Sequence, residues 1–334
     1  MFKRNWFLVL FLALFVSIAA ACGNEEASSS SDSNGSGNED DNSSYPSDVV
    51  ELVVPASAGG DTDRNARLLA QYLEEELDTN VVVQNVTGSS GSVGVQELMN
   101  SEPDGHRVLY FHNNILINNL LGVSENTYED LKIVGISELD NSNGLVVSSD
   151  SEYDNLDDLI EDAKNNPGQI DLGTTTGSFT HIQMLNFEQE AGIDFNFVDA
   201  GDFAERNSSL LGGHIDVVPI QLGLANEYIE SGDMKSLGVL SENRLDMYPE
   251  VPTFMEEGVD ISFEKFFFTA VPQETPDEVV DVLSEAISNV VNNEEYLEQA
   301  EGYGLEPQFI NQEETLELMS DNLEKYETII ENDE

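Results

Sequence analysis

Three loops rich in small and hydroxyl-bearing residues each stand directly before a predicted helix, at residues 57–62, 87–92 and 174–180. Such loops expose backbone N–H groups, and a helix N-terminus adds a partial positive charge. An anion can therefore be held there without a basic side chain. Each loop alone is equally compatible with a capping turn, but three of them in two halves of the chain favour a carboxylate-binding site.

Metal and cofactor chemistry is poorly supported by the same residues. Asp61, Asp63 and Asn65 begin like a calcium loop, but Ala66 and Tyr72 stand where an EF-hand requires Gly and Glu. The four histidines lack the spacing of a zinc site: His106, His112, His181 and His214. Only His181 is expected near a ligand, and a core or capping role fits it equally well. We expect neither metal nor cofactor.

No catalytic motif stands out in the sequence. Gly88-Ser89-Ser90-Gly91 lacks the Gly-x-Ser-x-Gly order of a nucleophile elbow. Gly88, Gly91 and Gly94 form GxxGxxG and not the GxGxxG of a dinucleotide site, and there is no P-loop lysine. The sequence therefore predicts a binding protein and not an enzyme.

The elements that must position these loops are short apolar runs alternating with amphipathic segments. Residues 52–54, 81–83, 107–111, 170–172 and 215–220 read as strands. Alternation of strands and helices predicts α/β layers with mainly parallel sheets. The series of elements occurs twice, which predicts two lobes with a ligand cleft between them.

The charge balance excludes several partners. The chain has 12 Lys and Arg against 66 Asp and Glu, a formal net charge of −54. Such a surface repels nucleic acid and anionic lipid head groups. Because the acidic residues are spread along the chain, they indicate adaptation to a saline environment, where salt screens their repulsion.

The N-terminus reads as a processing signal. Lys3 and Arg4 precede an apolar run at residues 6–20, and Cys22 follows three alanines. This resembles a bacterial lipobox, in which the cysteine is lipidated. Residues 25–48 are rich in Ser, Asn, Gly and acidic residues, which predicts a flexible linker. We expect a protein anchored by lipid at the extracytoplasmic face of the membrane.

Beyond these patterns, the chain resembles the solute receptors of tripartite tricarboxylate transporters, of the TctC or Bug type. The matching segments occur in register from residue 53 to residue 276: Val53-Val54-Pro55 with Gly59-Gly60, Val83-Gln84-Asn85 with Gly88 and Gly94, Pro103-Asp104-Gly105, Asn166-Pro167-Gly168, Gly177-Ser178 with His181, Leu211-Gly212-Gly213, Val251-Pro252-Thr253 and Thr275-Pro276.

The resemblance implies a two-lobed α/β fold of the periplasmic-binding-protein type, a type II Venus flytrap. It implies a monomeric receptor that delivers a small carboxylate to membrane permease subunits, the carboxylate lying between loops 57–62 and 176–181. The expected organisation is a signal peptide at 1–21, lipidated Cys22 with a linker to residue 48, a first lobe at 49–142 plus 256–334 and a second lobe at 143–255.

The residues expected to bind the ligand are Ser57, Ala58, Gly59, Gly60, Asp61, Thr62, Asn85, Gly88, Asn113, Thr176, Gly177, Ser178, His181, Gly201 and Asp202. For Asp61 and Asp63, capping of the following helix is the preferred role. Candidate ligands are di- or tricarboxylates, acidic amino acids and aromatic acids. A receptor for two-component signalling and, less favoured, a secreted α/β hydrolase are the alternatives.

Two departures from the family pattern bear on the ligand. Asp199 and Asp202 replace a P-Y-x-G loop, and acidic groups there favour a ligand with a positive charge or a smaller monoacid. Lys265 and two phenylalanines stand where the family often has a Trp.

Overall fold

The computed structural model describes residues 45–333. The predicted signal peptide, Cys22 and nearly all of the predicted linker lie outside these residues. Within them, no helix is both long enough and apolar enough to cross a lipid bilayer.

The strands form two sheets. The six strands of the first sheet are β1 (Val50–Val54), β2 (Val81–Asn85), β3 (Arg107–His112), β4 (Leu131–Asp140), β10 (Lys265–Pro272) and β11 (Glu306–Ile310), in the order β11-β4-β10-β3-β1-β2. The five strands of the second sheet are β5 (Asn143–Ser148), β6 (Asp171–Thr174), β7 (Asn196–Asp199), β8 (Val217–Gln221) and β9 (Met234–Val239), in the order β7-β6-β8-β5-β9. We call each sheet with its helices the first and the second lobe.

Ten α-helices are found in the described part of the chain. They are α1 (Asp61–Leu77), α2 (Ser92–Met99), α3 (Asn114–Leu120), α4 (Leu156–Asn165), α5 (Phe179–Ala191), α6 (Phe203–Leu211), α7 (Leu222–Ser231), α8 (Asp277–Val290), α9 (Glu294–Glu301) and α10 (Gln312–Asp333). Short 3₁₀ turns occur at Ser89–Gly91 and Tyr128–Asp130.

The α/β prediction is confirmed, but the expectation of mainly parallel sheets is wrong. β1 runs parallel to β2 and β3, and β6 runs parallel to β7 and β8. β10 is antiparallel to β3 and β4, β11 to β4, and β5 to β8 and β9. Parallel neighbours need a crossover helix. β5 and β10 each enter their sheet directly from the other sheet, and not through a crossover helix from a neighbouring strand, so neither strand is forced to be parallel.

The strand β10 lies inside the first sheet between β4 and β3, and its sequence explains why. Phe266, Phe267 and Phe268 are all 0% exposed. Alternate residues of a strand face opposite sides of a sheet. Phe266 and Phe268 accordingly join one hydrophobic cluster, and Phe267 joins another. A continuous aromatic run thus indicates a strand covered on both faces.

The C-terminal helix connects the two lobes. Met319, Tyr326 and Ile329 of α10 belong to the same hydrophobic cluster as Phe179 of α5. The side chain of Gln189 in α5 donates a hydrogen bond to the carbonyl of Ile329 at 2.8 Å. The lobes therefore share one continuous apolar contact behind the candidate site.

Candidate functional site

The loop between β1 and α1 folds back on itself through one carboxylate. Gly59, which has φ of 85°, donates its N–H to Asp63 Oδ2 at 2.9 Å. Arg67 Nε donates to the same oxygen at 3.0 Å, and Asn85 Nδ2 donates to Asp63 Oδ1 at 2.9 Å. Asp63 therefore holds the loop from behind, which differs from the capping role expected for it.

The front of this loop presents backbone donors. In residues 45–333, the N–H groups of Ala58, Gly60 and Asp61 have no protein acceptor within hydrogen-bond distance. Gly60 is the N-cap of α1 and makes no side-chain capping bond. Unpaired amides at a helix N-terminus favour an anion. The loop can therefore receive a carboxylate, as the residue types indicated.

A buried ion pair lies beside these donors. Asp61, the first residue of α1, accepts from the N–H of Thr62 at 2.7 Å and pairs with Lys265 of β10. Lys265 is only 5% exposed, and its Nζ lies 4.8 Å from the centre of the Phe267 ring. Burial disfavours the Asp61 carboxylate, but Lys265 and His112 outweigh it and hold the pKa of Asp61 well below its usual value.

His112 adds a neutral donor next to this pair. Its Nδ1 accepts the N–H of Asn114 at 3.3 Å, so the proton of the neutral ring is on Nε2. Burial, and secondly the charge of Lys265, lowers the pKa of His112 well below its usual value. His112 is therefore uncharged at neutral pH. No residue spacing marked His112 as a site residue.

The loop between β6 and α5 forms the second wall. Ser178 is the N-cap of α5 and accepts from the N–H of His181 at 3.4 Å. The N–H of Gly177 donates to His181 Nδ1 at 3.2 Å. A chain of hydroxyls joins Thr174, Thr180 and Ser178, at 2.8 and 2.9 Å. This loop is thus held by its own side chains in a fixed shape.

The remaining predicted residues lie in three places. Gly88 precedes the 3₁₀ turn that packs behind the first loop, and Thr176 is exposed on the second loop. The carbonyl of Gly201 accepts from Thr175 at 2.8 Å, and Asp202 caps α6. Asn113 is fully buried and bonds the N–H of Phe266 at 2.9 Å, so it supports the strand β10.

The two lobes touch on both sides of the loops. Asn114 Oδ1 on α3 accepts the N–H of Phe179 on α5 at 2.7 Å. On the other side, Arg64 of α1 donates to Gln221 of β8, whose Nε2 donates to Asp140 at 2.9 Å. The two lobes are therefore joined by hydrogen bonds at two separate places. A cavity of about 610 Å³ lies beside the β4–β5 connection and includes neither loop.

Three cations near the loops were not expected from the sequence: Arg64, Arg206 and Lys265. Arg206 Nη1 lies 3.5 Å from Thr180 Oγ1 on the second lobe. These residues are far apart in the chain and belong to no motif. The expectation that the site works without basic side chains is therefore incomplete. In residues 45–333, no group of three or more His, Cys, Asp or Glu side chains is arranged to hold a metal ion.

Comparison with known proteins gives consistent matches. The family model described as "Tripartite tricarboxylate transporter family receptor" matches residues 65–334. A Cupriavidus necator protein, "UPF0065 protein in gbd 5'region", is 28% identical over 290 residues, covering 86% of this chain and 88% of that protein.

Solved structures agree with the fold. A TctC solute binding protein from Polaromonas, solved without ligand, is 28% identical with a TM-score of 0.67, covering 86% of this chain and 99% of that one. The R. palustris protein Rpa4515, solved with adipate, is 23% identical with a TM-score of 0.80, covering 86% and 97%. The chain belongs to the tripartite tricarboxylate transporter receptor family, whose members are solute-binding proteins and not enzymes.

Proposed function

We propose that the protein captures a small organic carboxylate between loops 57–62 and 176–181 and delivers it to a tripartite tricarboxylate-type transporter. The observation that carries this proposal is a pair of loops, one on each lobe, of which the first has the N–H groups of Ala58, Gly60 and Asp61 without an acceptor in residues 45–333. The adipate bound by the R. palustris protein is a ligand of the same chemical class.

The predicted site residues divide into two proposed roles. Residues of loops 57–62 and 176–178 contact the ligand, since both loops precede helices beside Lys265, which pairs with Asp61 and has its Nζ 5.8 Å from the centre of the Phe179 ring. Asn85, His181 and Gly201 hold these loops in place through hydrogen bonds with Asp63, Gly177 and Thr175. Gly88 precedes the 3₁₀ turn at Ser89–Gly91, and Asn113 supports β10. Asp202 caps α6 and sets the position of Arg206.

A ligand screen tests the function. Di- and tricarboxylates, acidic amino acids and aromatic acids are added to the mature protein in high salt, and the melting temperature is recorded. At least one carboxylate should raise it, because a ligand that binds only the folded state stabilises that state. Neutral amides of the same acids serve as controls. The proposal is wrong if no carboxylate has an effect.

Delivery to a transporter and attachment to the membrane are tested in cells. Deletion of the receptor should abolish uptake of the radiolabelled carboxylate found in the screen. If uptake persists while transcriptional induction by the carboxylate is lost, the protein serves sensing and not transport. Cys22→Ser should release the protein from the membrane fraction, because it removes the thiol proposed to be lipidated.

A further inference from the structure

Two arginines beside the candidate site lack a carboxylate partner among the described residues, unlike most of the other basic residues. Six cations of residues 45–333 pair with a carboxylate: Arg67, Arg107, Lys132, Lys235, Arg244 and Lys265. Four have no carboxylate of this described range within 4.0 Å. Of these, Lys164 is exposed on α4, and Lys325 donates to the carbonyl of Ser262 at 3.0 Å. The other two are Arg64 and Arg206, beside the candidate site.

An arginine without a carboxylate is unexpected in this chain. With 66 acidic residues, a carboxylate partner is available for almost any surface cation. Arg206 is half-buried on α6, and the only protein hydrogen bond of its side chain among the described residues is the 3.5 Å contact with Thr180. Removing a charge from water without a partner is costly. An anion that arrives with the ligand would supply the missing partner.

The carboxylates around Arg206 are already engaged. Asp61 pairs with Lys265, and Asp202 accepts the N–H groups of Ala204 and Glu205 at 3.1 and 3.2 Å. Asp140, on the far side of Arg64, accepts from Ser142 and Gln221. Burial lowers the pKa of Arg206, and the charges of Asp61 and Asp202 oppose this. The hydroxyl of Thr180, which the guanidinium contacts at 3.5 Å, also bonds the hydroxyl of Ser178 at 2.9 Å, so Arg206 lies beside loop 176–181.

Resting on the proposed function, we propose that Arg206 determines specificity by pairing with a second carboxylate of the ligand. The first carboxylate lies on the amides of loop 57–62, contributed by the first lobe. The second lies on the guanidinium contributed by the second lobe, beside the hydroxyl of Thr180. The ligand class is therefore a linear dicarboxylate, and not the amino acid or monoacid that Asp199 and Asp202 suggested. Arg64 is held by Gln221 and Tyr303, so it plays a smaller part.

Calorimetry on the full mature chain tests this assignment. Glutarate and adipate are compared with pentanoate and hexanoate, the monoacids of equal length. Arg206→Gln should weaken both dicarboxylates by about 10-fold or more, as expected for a charge-assisted hydrogen bond. It should change monoacid binding by less than about threefold. Arg206→Lys should restore part of the loss. Arg244→Gln, which removes a surface arginine paired with Glu256, is the matched control.

Melting curves of each variant exclude unfolding as the cause. If Arg206→Gln weakens mono- and dicarboxylates equally, or neither, Arg206 does not determine specificity and the inference is overturned while the receptor function stands. The same holds if the wild type prefers monoacids. If the wild type binds no carboxylate, the proposed function fails and the inference fails with it.

Discussion

At the scale of single residues, Asp63 accepts hydrogen bonds from three different residues near the site. It accepts from Gly59, Asn85 and Arg67, and it is 4% exposed. Burial acts to raise the pKa of Asp63, but these hydrogen bonds outweigh it and lower the pKa. The contribution of Asp63 to stability is therefore present above its unfolded-state pKa of about 3.9 and is lost as the pH falls through the lower folded value.

We expect Asp63→Asn to reduce the free energy of unfolding by about 1–3 kcal/mol at pH 7, because buried donors lose a charged acceptor. The difference from the wild type should shrink as the pH falls through the lowered folded pKa of Asp63, because the wild-type carboxyl is then protonated too. Urea unfolding at pH 7 and over a series of acidic pH values measures this. Glu75→Gln, an exposed change on α1, is the control. Equal stability of Asp63→Asn and wild type at pH 7 would contradict the assignment.

Glu138 in the first lobe has a raised pKa, in contrast to the lowered pKa of Asp63. It is 0% exposed on β4 and accepts the hydroxyl of Tyr110 at 2.6 Å. Burial raises the pKa of Glu138 to about 7, despite hydrogen bonds that lower it. Because the folded state binds the proton more tightly, this stabilising effect is complete below the unfolded-state pKa of about 4.3 and is lost as the pH rises through 7.

Glu138→Gln imitates the protonated side chain and should remove this pH dependence. Between pH 5 and pH 8 the melting temperature of the variant should rise relative to that of the wild type. A series of melting curves across this range provides the measurement, with Glu75→Gln again as the control. A constant difference between variant and wild type over the whole range would show that Glu138 does not titrate there.

At the scale of elements, the β1–α1 loop depends on two adjacent glycines in different ways. Gly59 has φ of 85°, and a Cβ built there would meet nothing within 4 Å. The need for glycine at Gly59 is therefore conformational and not steric. Gly60 has φ of −80°, and a Cβ there would make only an ordinary contact at 3.6 Å with the carbonyl of Ser57. Alanine substitutions at Gly59 and Gly60 can therefore be compared, because only Gly59 has a conformation that requires glycine.

We expect Gly59→Ala to cost about 1–2 kcal/mol, because an alanine is strained in the left-handed region. Carboxylate affinity should fall as well, since relief of the strain moves the donors of the loop. Gly60→Ala should leave stability nearly unchanged. Thermal unfolding and calorimetry on both variants provide the comparison. The conformational explanation is rejected if the two substitutions cost the same.

Sequence patterns predicted the strands and loops that are specified by their own residues and not by distant contacts. β1, β2 and β3 each contain three or more consecutive apolar residues, and the predicted loops stand before α1 and α5 as expected. α3, α7 and β11 were not predicted. α3 contains three asparagines, which disfavour helices, and is held by tertiary contacts. Strand direction was wrong for β10 because it depends on where the chain returns after the second lobe.

The candidate site was predicted only in part, because tertiary contacts bring some of its residues together. Backbone donors could be placed because a small-residue loop before a helix has a local signature. The pairing of Asp61 with Lys265 joins residues 204 positions apart, and no spacing rule connects them. Arg206 lies shortly after the N-cap residue of α6, and this local pattern does not place it at the site. Only the packing of the two lobes does so.

At the scale of the whole molecule, a small polar bridge joins the two lobes. Gln221 is 2% exposed and joins Arg64 of the first lobe to Asp140 at the end of β4. Gln221→Ala should favour opening of the cleft, because it removes the hydrogen bonds that join β8 to Arg64 and Asp140 of the first lobe. Small-angle scattering should give a larger radius of gyration without ligand, and a saturating carboxylate should restore the wild-type value.

Carboxylate affinity of Gln221→Ala should fall in proportion to the closed fraction, about 10-fold if that fraction falls 10-fold. Gln169→Ala, which changes an exposed glutamine, is the control. An unchanged radius of gyration in Gln221→Ala would show that other contacts, such as that between Asn114 and Phe179, are sufficient for closure.

The net charge of −54 sets a further expectation for the whole protein. If the acidic surface serves a saline environment, sodium chloride should raise the melting temperature by roughly 4 °C or more and level off near 1 M, where screening acts within about 3 Å. Sucrose at equal osmolality separates screening from osmotic stabilisation. A melting temperature independent of salt would count against saline adaptation.

The position of Tyr45 has a practical consequence for assays. Its hydroxyl donates to the carbonyl of Gly105 at 2.7 Å, in the turn that precedes β3. Since β3 runs parallel to β1, this contact lies at the opposite edge of the sheet from the β1–α1 loop. A sensor chip coupled through the neighbouring exposed residue Ser47 would leave the ligand loops unobstructed. Coupling through Thr176 would block the ligand loops. Comparing ligand binding in the two orientations would therefore test where the ligand enters.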